Sequence, residues 1–120
     1  MSMQESHAAM DAMRHGIETR DAAELAGLYA DNAVLEIVDR THTPSKPQRL
    51  KGKAEIGAFL SEICGRDMSH KVTEAVADDG HLAFEEACEY PDGTRVLMSA
   101  FAELADGHIV RQTNIQAWDE

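Results

Sequence analysis

The amino-acid sequence predicts an α+β domain in which helices pack on one face of a mostly antiparallel sheet. Two patterns carry this prediction: apolar residues recur at helical spacing through much of the first half, and the second half reads as alternating strands. The segments DDGH, PDG and ADG separate those strands and are typical of tight turns between antiparallel neighbours. With 120 residues, 43% of them hydrophobic, the chain is expected to form one domain over residues 1–120.

Two helices are expected at the start of the chain. The first has an apolar stripe at helical spacing, made of Met3, Met10, Met13 and Ile17. Ser2 and Glu5 fit a capping box before it, and Gly16 is expected to fray its last turn. A second cap, Asp21 with Glu24, opens a short helix that is expected to end at the segment YADNA.

The rest of the chain supplies one strand, one helix and four further strands. AVLEIVDR (residues 33–40) is rich in β-branched residues, and THTPSKPQRLKG after it has two prolines and is expected to be a long loop, a frequent place for function. KAEIGAFLSEIC predicts a third helix that ends at Gly65. The four strands of the predicted meander cover residues 68–77, 82–90, 94–104 and 108–118.

Charge and composition exclude several classes of protein. The net charge is −11, from 22 acidic and 11 basic residues, and the basic residues are scattered, so nucleic acid is not an expected partner. The N-terminus lacks the apolar core of a signal peptide, and no apolar run approaches the roughly 18 residues of a membrane span. Cys64 and Cys88 form neither a CxxC pair nor a disulfide framework. Both are expected to be free thiols of a cytoplasmic protein.

Four segments, in this order and at these spacings, resemble the nuclear transport factor 2-like superfamily: ELAGLYADNAVLEI, LKGKAEIGAFL, AFEEACEYPDGTRV and FAELADGHIVRQTNIQAW. The resemblance covers nearly the whole chain and is strongest to the SnoaL-like and ketosteroid isomerase-like branch. It implies a cystatin-like cone, in which a strongly curved sheet wraps around the N-terminal helices and leaves an apolar pocket open at one end. It also implies that the outer face of the sheet is buried in a homodimer.

The chain lacks the catalytic residues of ketosteroid isomerase at the positions that match them. The positions that match its general base and its two oxyanion-hole groups are Ile37, Met13 and Ala100. All three are apolar, so isomerisation of a steroid through that apparatus is not expected.

The resemblance does supply a register for the strands. It turns these residues inward: Leu35, Ile37, Phe84, Glu86, Cys88, Met98, Ala100, Ala102, Val110, Gln112, Asn114 and Gln116. The opposite face of the last strand is then apolar and is the expected dimer surface: Ile109, Thr113, Ile115 and Ala117.

Glu86 is the leading candidate for chemistry. Burial disfavours the charged form of a carboxyl, so an inward Glu86 would be a usable general acid or base near neutral pH. Gln112 and Asn114 would hydrogen-bond it or a substrate carbonyl. The alternative is a one-residue slip of the strand, which would place Glu86 in solvent beside Glu85.

A second acid/base pair is predicted at the end of the first strand, where Asp39 and His42 would lie at the pocket mouth. Alternatively, Asp39 caps the loop or pairs with Arg40, and His42 is exposed. His70, on the same face as Met68 and Val72, is either a ligand contact or a satisfied core residue.

The remaining candidates line the predicted pocket. Trp118 would cover one end of it or anchor the last strand, and Cys88 is expected to be a small core residue rather than a nucleophile. The histidines lack metal-ligand spacing, so neither a metal site nor a cofactor is expected. The predicted substrate-binding residues are His70, Gln112, Asn114, Gln116, Ile37, Phe84, Met98 and Trp118.

Two functions follow as hypotheses. The first is a cofactor-independent isomerase, cyclase or dehydratase that moves a proton next to the carbonyl of a small apolar or polyketide-like molecule. The second is a non-catalytic ligand-binding or dimerisation module, since one fold hosts many functions.

Overall fold

The structure is a computed structural model that describes residues 3–120. It contains three helices and six strands, in the order α1 (Met3–Thr19), α2 (Ala22–Ala26), β1 (Tyr29–Val38), β2 (Gln48–Lys51), α3 (Gly52–Cys64), β3 (Ser69–Asp78), β4 (His81–Glu89), β5 (Arg95–Ala105) and β6 (His108–Trp118). Ser2 of the expected capping box lies outside the described residues.

The strands form one curved, unclosed sheet in the order β2-β1-β6-β5-β4-β3. Strands β3 to β6 make the predicted antiparallel meander. Strand β1 pairs parallel with β6 and antiparallel with β2. Helix α1 packs against β3, and α3 packs against β1. The predicted α+β fold, with helices on a strongly curved and mostly antiparallel sheet, is confirmed. None of the described helices is long and apolar enough to cross a membrane.

The end of α1 differs from the prediction because of a tertiary contact. The helix continues through Gly16 to Thr19 instead of fraying. Gly16 is buried, and Leu25 of α2 packs where its side chain would be. The predicted cap of α2 is present, since the Asp21 carboxylate accepts a hydrogen bond of 3.0 Å from the backbone N–H of Glu24.

Two strand predictions were wrong in their extent. β1 begins at Tyr29, inside the segment that was expected to end α2, because the parallel β6 offers it backbone partners: Tyr29 pairs with Ile109, whose N–H donates to the Leu28 carbonyl. The expected loop before α3 contains the short strand β2, which pairs with residues 34–37 of β1.

A β-bulge changes the register at the start of β6. The pairing of β5 with β6 shifts between Glu103 and Leu104, which leaves Val110 as the extra residue. Ile109 is therefore fully buried in the core, while Val110 is half-buried. The predicted sides of these two residues were wrong, whereas Gln112 and Asn114 are buried on the inner face as expected.

A second bulge decides which residues of β3 face inward. The pairing of β3 with β4 shifts between Val72 and Glu74, so Thr73 is the extra residue. On one side of it Ala75 lies opposite the buried Phe84, and on the other side His70 lies opposite the buried Cys88. Because alternate residues of a strand face opposite sides, an unbulged β3 would turn His70 to the outer face.

Candidate functional site

A cavity of about 740 Å³ lies between the inner face of the sheet and the helices. This volume falls in the range of roughly 300–1,000 Å³ that is usual for small-molecule sites. Each of the predicted site residues lines it: Ile37, Asp39, His42, His70, Phe84, Glu86, Met98, Gln112, Asn114, Gln116 and Trp118. Most of the remaining wall is apolar and comes from α1, α2, α3 and the strands.

Three side chains of β3 and β4 meet in one hydrogen-bonded cluster, the inner triad His70, Glu86 and Cys88. The Oε2 atom of Glu86 lies 2.7 Å from Nδ1 of His70 and accepts a hydrogen bond of 3.0 Å from the thiol of Cys88. The Nδ1 atom of His70 is also 3.3 Å from the Cys88 sulfur. Glu86 therefore faces inward, and the alternative in which it is solvated beside Glu85 does not hold.

Burial shapes the chemistry of the inner triad. The side chains of His70 and Glu86 are 5% and 10% exposed. Burial, together with the charge of Glu86, holds the pKa of the Cys88 thiol well above its ordinary value, so this group stays protonated and donates to the carboxylate. Within residues 3–120, the Nε2 atom of His70 is buried without a hydrogen-bond partner. An unsatisfied buried polar atom is unfavourable, so a hydrogen-bond partner at this nitrogen would stabilise the site.

The carboxamide row of β6 is held by a buried relay that begins at β1. The phenol of Tyr29 donates a hydrogen bond of 2.8 Å to Oε1 of Gln112, and Nε2 of Gln112 donates one of 2.8 Å to Oδ1 of Asn114. Burial raises the pKa of Tyr29 far above its ordinary value, which keeps the phenol protonated as a donor. The hydrogen bonds of Gln112 thus run to Tyr29 and Asn114, and Asn114 ends the relay at the cavity wall.

Asp39 and His42 are adjacent at the end of β1, and both line the cavity. The Oδ1 atom of Asp39 lies 2.9 Å from Nδ1 of His42 and accepts backbone hydrogen bonds from Thr41 and His42, at 3.0 and 2.8 Å. Burial alone would raise the pKa of Asp39, but the hydrogen bonds from His42 and Thr41 outweigh it and lower the pKa. Asp39 therefore caps the loop, as one alternative expected, and the same carboxylate contacts the imidazole of His42, while the acid/base role of the pair stays a prediction.

Trp118 lies at the cavity wall beside the chain terminus. Its indole N–H donates a hydrogen bond of 2.9 Å to Oε1 of Gln116, and its ring stacks on Tyr90 with centroids 5.9 Å apart. The Arg40 guanidinium lies 4.1 Å from its ring centroid, so Arg40 contacts Trp118 and not Asp39. Trp118 thus both anchors β6 and closes part of the wall.

Sequence reasoning missed two polar members of the site. Tyr29 was expected as part of the segment that ends the second helix, although a buried tyrosine normally needs a hydrogen-bond partner. Cys88 is a small core residue, as predicted, but its hydrogen bond to Glu86 was missed, although the two-residue spacing puts both side chains on one face of a strand. The three apolar positions of the ketosteroid isomerase comparison, Ile37, Met13 and Ala100, are all buried.

The arrangement combines an apolar wall with two groups that carry or accept protons. The inner triad is on β3 and β4, and the Asp39–His42 pair is at the end of β1; strands β6 and β5 separate them in the sheet. Between them lies the Tyr29–Gln112–Asn114 relay, which offers fixed polar atoms to a ligand oxygen. The inner triad also brings nitrogen, oxygen and sulfur atoms together, the set from which a metal site is built.

Comparison with known proteins places the chain in a family. Residues 10–112 match the model of the SnoaL-like domain. No curated protein matches the sequence. Many solved structures are similar, and those described here are less than 25% identical, so they support the fold alone.

Three of these structures show how similar in fold and how different in sequence the related proteins are. A ketosteroid isomerase candidate from Kribbella flavida DSM 17836 is 24% identical with a TM-score of 0.80, over 98% of this chain and 80% of that one. An NTF2-like protein of unknown function from Mesorhizobium loti is 17% identical with a TM-score of 0.86, over 96% and 93%. An LEH-like epoxide hydrolase from M. tuberculosis is 18% identical with a TM-score of 0.73, over 96% and 84%. Since the family model spans most of the chain and the fold agrees with it, this protein belongs to the SnoaL-like family of the nuclear transport factor 2-like superfamily.

Proposed function

We propose that this protein is an enzyme that transfers a proton next to a carbonyl group of a small apolar or polyketide-like molecule, as an isomerase, cyclase or dehydratase. The observation that carries the proposal is the buried Glu86–His70 pair on the wall of an apolar cavity, with His70 Nε2 left without a partner. A carboxylate in such a place takes a proton from the carbon next to a carbonyl and returns it elsewhere on the substrate. This chemistry uses only groups of the chain.

The other site residues have supporting roles in this proposal. His70 holds the Glu86 carboxylate through Nδ1 and offers Nε2 to the substrate. Asn114, Gln112 and Gln116 orient the substrate oxygen, because carboxamide N–H groups donate to a developing oxyanion. The apolar substrate body packs on the wall formed by Ile37, Phe84, Met98 and Trp118. Asp39 and His42 form a second acid/base pair at the end of β1.

The test measures proton transfer without knowledge of the natural reaction. Cyclohexanone, tetralone and acetylacetone are incubated with the protein in D₂O, and NMR follows the exchange of their α-protons. We expect exchange above the buffer rate with the natural protein and its loss with Glu86→Gln, which keeps the shape of the side chain and removes the base. Glu85→Gln is the matched control, because Glu85 is next in sequence and on the other face of β4.

Two results would overturn the enzyme proposal. One is exchange that Glu86→Gln leaves unchanged. The other is the absence of exchange with every ketone that binding experiments show to enter the cavity. The second result would favour a non-catalytic binding module, an alternative supported by the apolar residues Ile37, Met13 and Ala100 at the ketosteroid isomerase positions.

We further propose that the partner of this chain is a second copy, which packs on the outer face of the sheet. Leu97, Phe101 and Ile115 of the central strands β5 and β6 are about half exposed. A contiguous apolar surface of this kind is typical of an interface, and an isologous dimer buries the same patch on both copies.

The free thiols of Cys64 and Cys88 agree with a reducing cytoplasm as the place of action.

A further inference from the structure

We propose that the inner triad His70, Glu86 and Cys88 is also a binding site for a divalent transition metal of the zinc type. Its three candidate ligand atoms, Nδ1, Oε2 and Sγ, lie 2.7, 3.0 and 3.3 Å from one another and line the cavity. Sequence spacing gave no sign of this site, because the three residues come together only through the pairing of β3 with β4.

The sheet holds the three residues in place. His70 lies directly opposite Cys88 in the β3–β4 pair, and Glu86 precedes Cys88 by two residues on the same face. On the other side of β4, the buried Met98 and Val96 of β5 lie opposite Glu86 and Cys88. Ligands carried by adjacent paired strands are more rigid than ligands on loops, and such rigidity favours metal binding.

The donor set suits zinc. One histidine nitrogen, one carboxylate oxygen and one thiolate sulfur make three protein ligands, and a fourth position stays open, as in catalytic zinc sites. Tetrahedral zinc with bonds of roughly 2.0–2.3 Å needs ligand atoms about 3.3–3.6 Å apart. The three distances therefore have to grow by about 0.3–0.6 Å, which side-chain rotations supply.

Charge balance supports the same assignment. A carboxylate and a thiolate together carry the charge that neutralises a divalent cation, and a neutral imidazole adds none. The metal site is then neutral overall, which limits the cost of placing charges in an apolar interior. On binding, the metal replaces the proton that Cys88 now donates to Glu86, so binding releases protons.

Metal binding and the proposed proton transfer use the same carboxylate, that of Glu86. The two roles are mutually exclusive at any moment, so a bound metal would block the base. The inference does not depend on the proposed function, because metal binding is measured without a substrate. If the protein does not bind the metal, the proposed proton transfer is still tested by its own experiment, and the reverse also holds.

The experiment titrates the purified, metal-free protein with Co²⁺, followed by visible and near-ultraviolet absorption, and with Zn²⁺, followed by calorimetry. We expect one Co²⁺ per chain, with intense visible bands of tetrahedral cobalt and a thiolate-to-cobalt charge-transfer band. Cys88→Ser should remove the charge-transfer band, and Cys88→Ser, Glu86→Gln and His70→Gln should each weaken Zn²⁺ binding at least tenfold. Cys64→Ser is the matched control, because Cys64 is the other thiol and lies outside the triad.

A second readout guards against loss of structure in the variants. Saturating Zn²⁺ should raise the Tm of the natural protein and of Cys64→Ser, since a ligand of the folded state stabilises it. At the same Zn²⁺ concentration it should raise the Tm of folded Cys88→Ser by less than that of the natural protein. A charge-transfer band that survives Cys88→Ser, or a Zn²⁺ affinity that no triad variant changes, would overturn the site, as would binding that Cys64→Ser abolishes.

Discussion

Gly16 of α1 lies directly against Leu25 of α2: a Cβ atom at position 16 would be 2.7 Å from Cδ2 and 2.8 Å from Cγ of Leu25. Leu25 is only 3% exposed and belongs to the main core. The glycine therefore fixes how closely the two N-terminal helices approach, and through Leu25 it shapes one wall of the cavity.

We expect Gly16→Ala to destabilise the protein. The overpacking against Leu25 costs about 1–3 kcal/mol, which exceeds the roughly 0.5–1 kcal/mol that alanine gains over glycine inside a helix. Gly57→Ala in α3 is the matched control, because the nearest atom to its added Cβ is 3.9 Å away. This variant should therefore show only the stabilisation that alanine gives inside a helix. Urea titration gives both free energies of unfolding, and equal stabilisation by the two variants would contradict this account.

We expect Tyr29→Phe to lower the free energy of unfolding by about 1–3 kcal/mol, since it leaves the buried Oε1 atom of Gln112 without a donor. Tyr90→Phe removes a hydroxyl that accepts from Arg66 at a half-buried site, where water replaces it, so its loss should be smaller. Chemical denaturation of both variants checks the order. Equal losses would mean that the relay contributes no more than a surface hydrogen bond.

Asp39 should make the stability of the protein sensitive to acid. Because its pKa in the folded protein is lowered by the hydrogen bonds from His42 and Thr41, it stabilises the fold above its unfolded-state pKa of roughly 3.9. That contribution is lost as the pH falls below this value and through the lower folded pKa. Asp39→Asn keeps an oxygen acceptor and removes the charge, so its difference in unfolding free energy from the natural protein should shrink in acid. A difference that stays constant down to about pH 3 would exclude the charge as its source.

The proposed dimer is tested by charge on the outer face. Phe101→Glu places a carboxylate in the centre of the apolar surface formed with Leu97 and Ile115, and we expect it to yield monomers in sedimentation velocity. Val76→Glu is the control, because Val76 is equally apolar and 68% exposed but belongs to the edge strand β3. A natural protein that sediments as a monomer would remove the proposal.

Most of the fold could be predicted from local patterns. The turns at Gly80, Gly93 and Gly107 each have a glycine with positive φ, which is where hairpins need one, and this is why the meander was correctly divided. The ends of β1 and the strand β2 could not be predicted, because β1 is completed by residues of β6 that lie far away in sequence. The β-propensity of a segment is a local property, whereas the residue at which a strand begins depends on the neighbouring strand with which it pairs.

The site was predictable as a set of residues but not as an arrangement. The register implied by the family resemblance correctly turned Glu86, Gln112 and Asn114 inward. The contact of Glu86 with His70 depends on the bulge at Thr73, and nothing in the local sequence marks Thr73 as an extra residue. Without this bulge His70 would face the outer side of the sheet, and the inner triad would not form.

The parallel pairing of β1 with β6 has a consequence for biosynthesis. β1 is made early, but its neighbour in the sheet, which pairs from Ile109 to Ile115, comes from the last part of the chain. Vectorial synthesis on the ribosome therefore produces the helices, β1 and most of the meander before the strand that joins them exists. Long-range pairing of this kind is slow and leaves apolar edges open in the meantime. The native sheet should therefore form only after β6 has left the ribosome, and the apolar inner face is a target for chaperones until then.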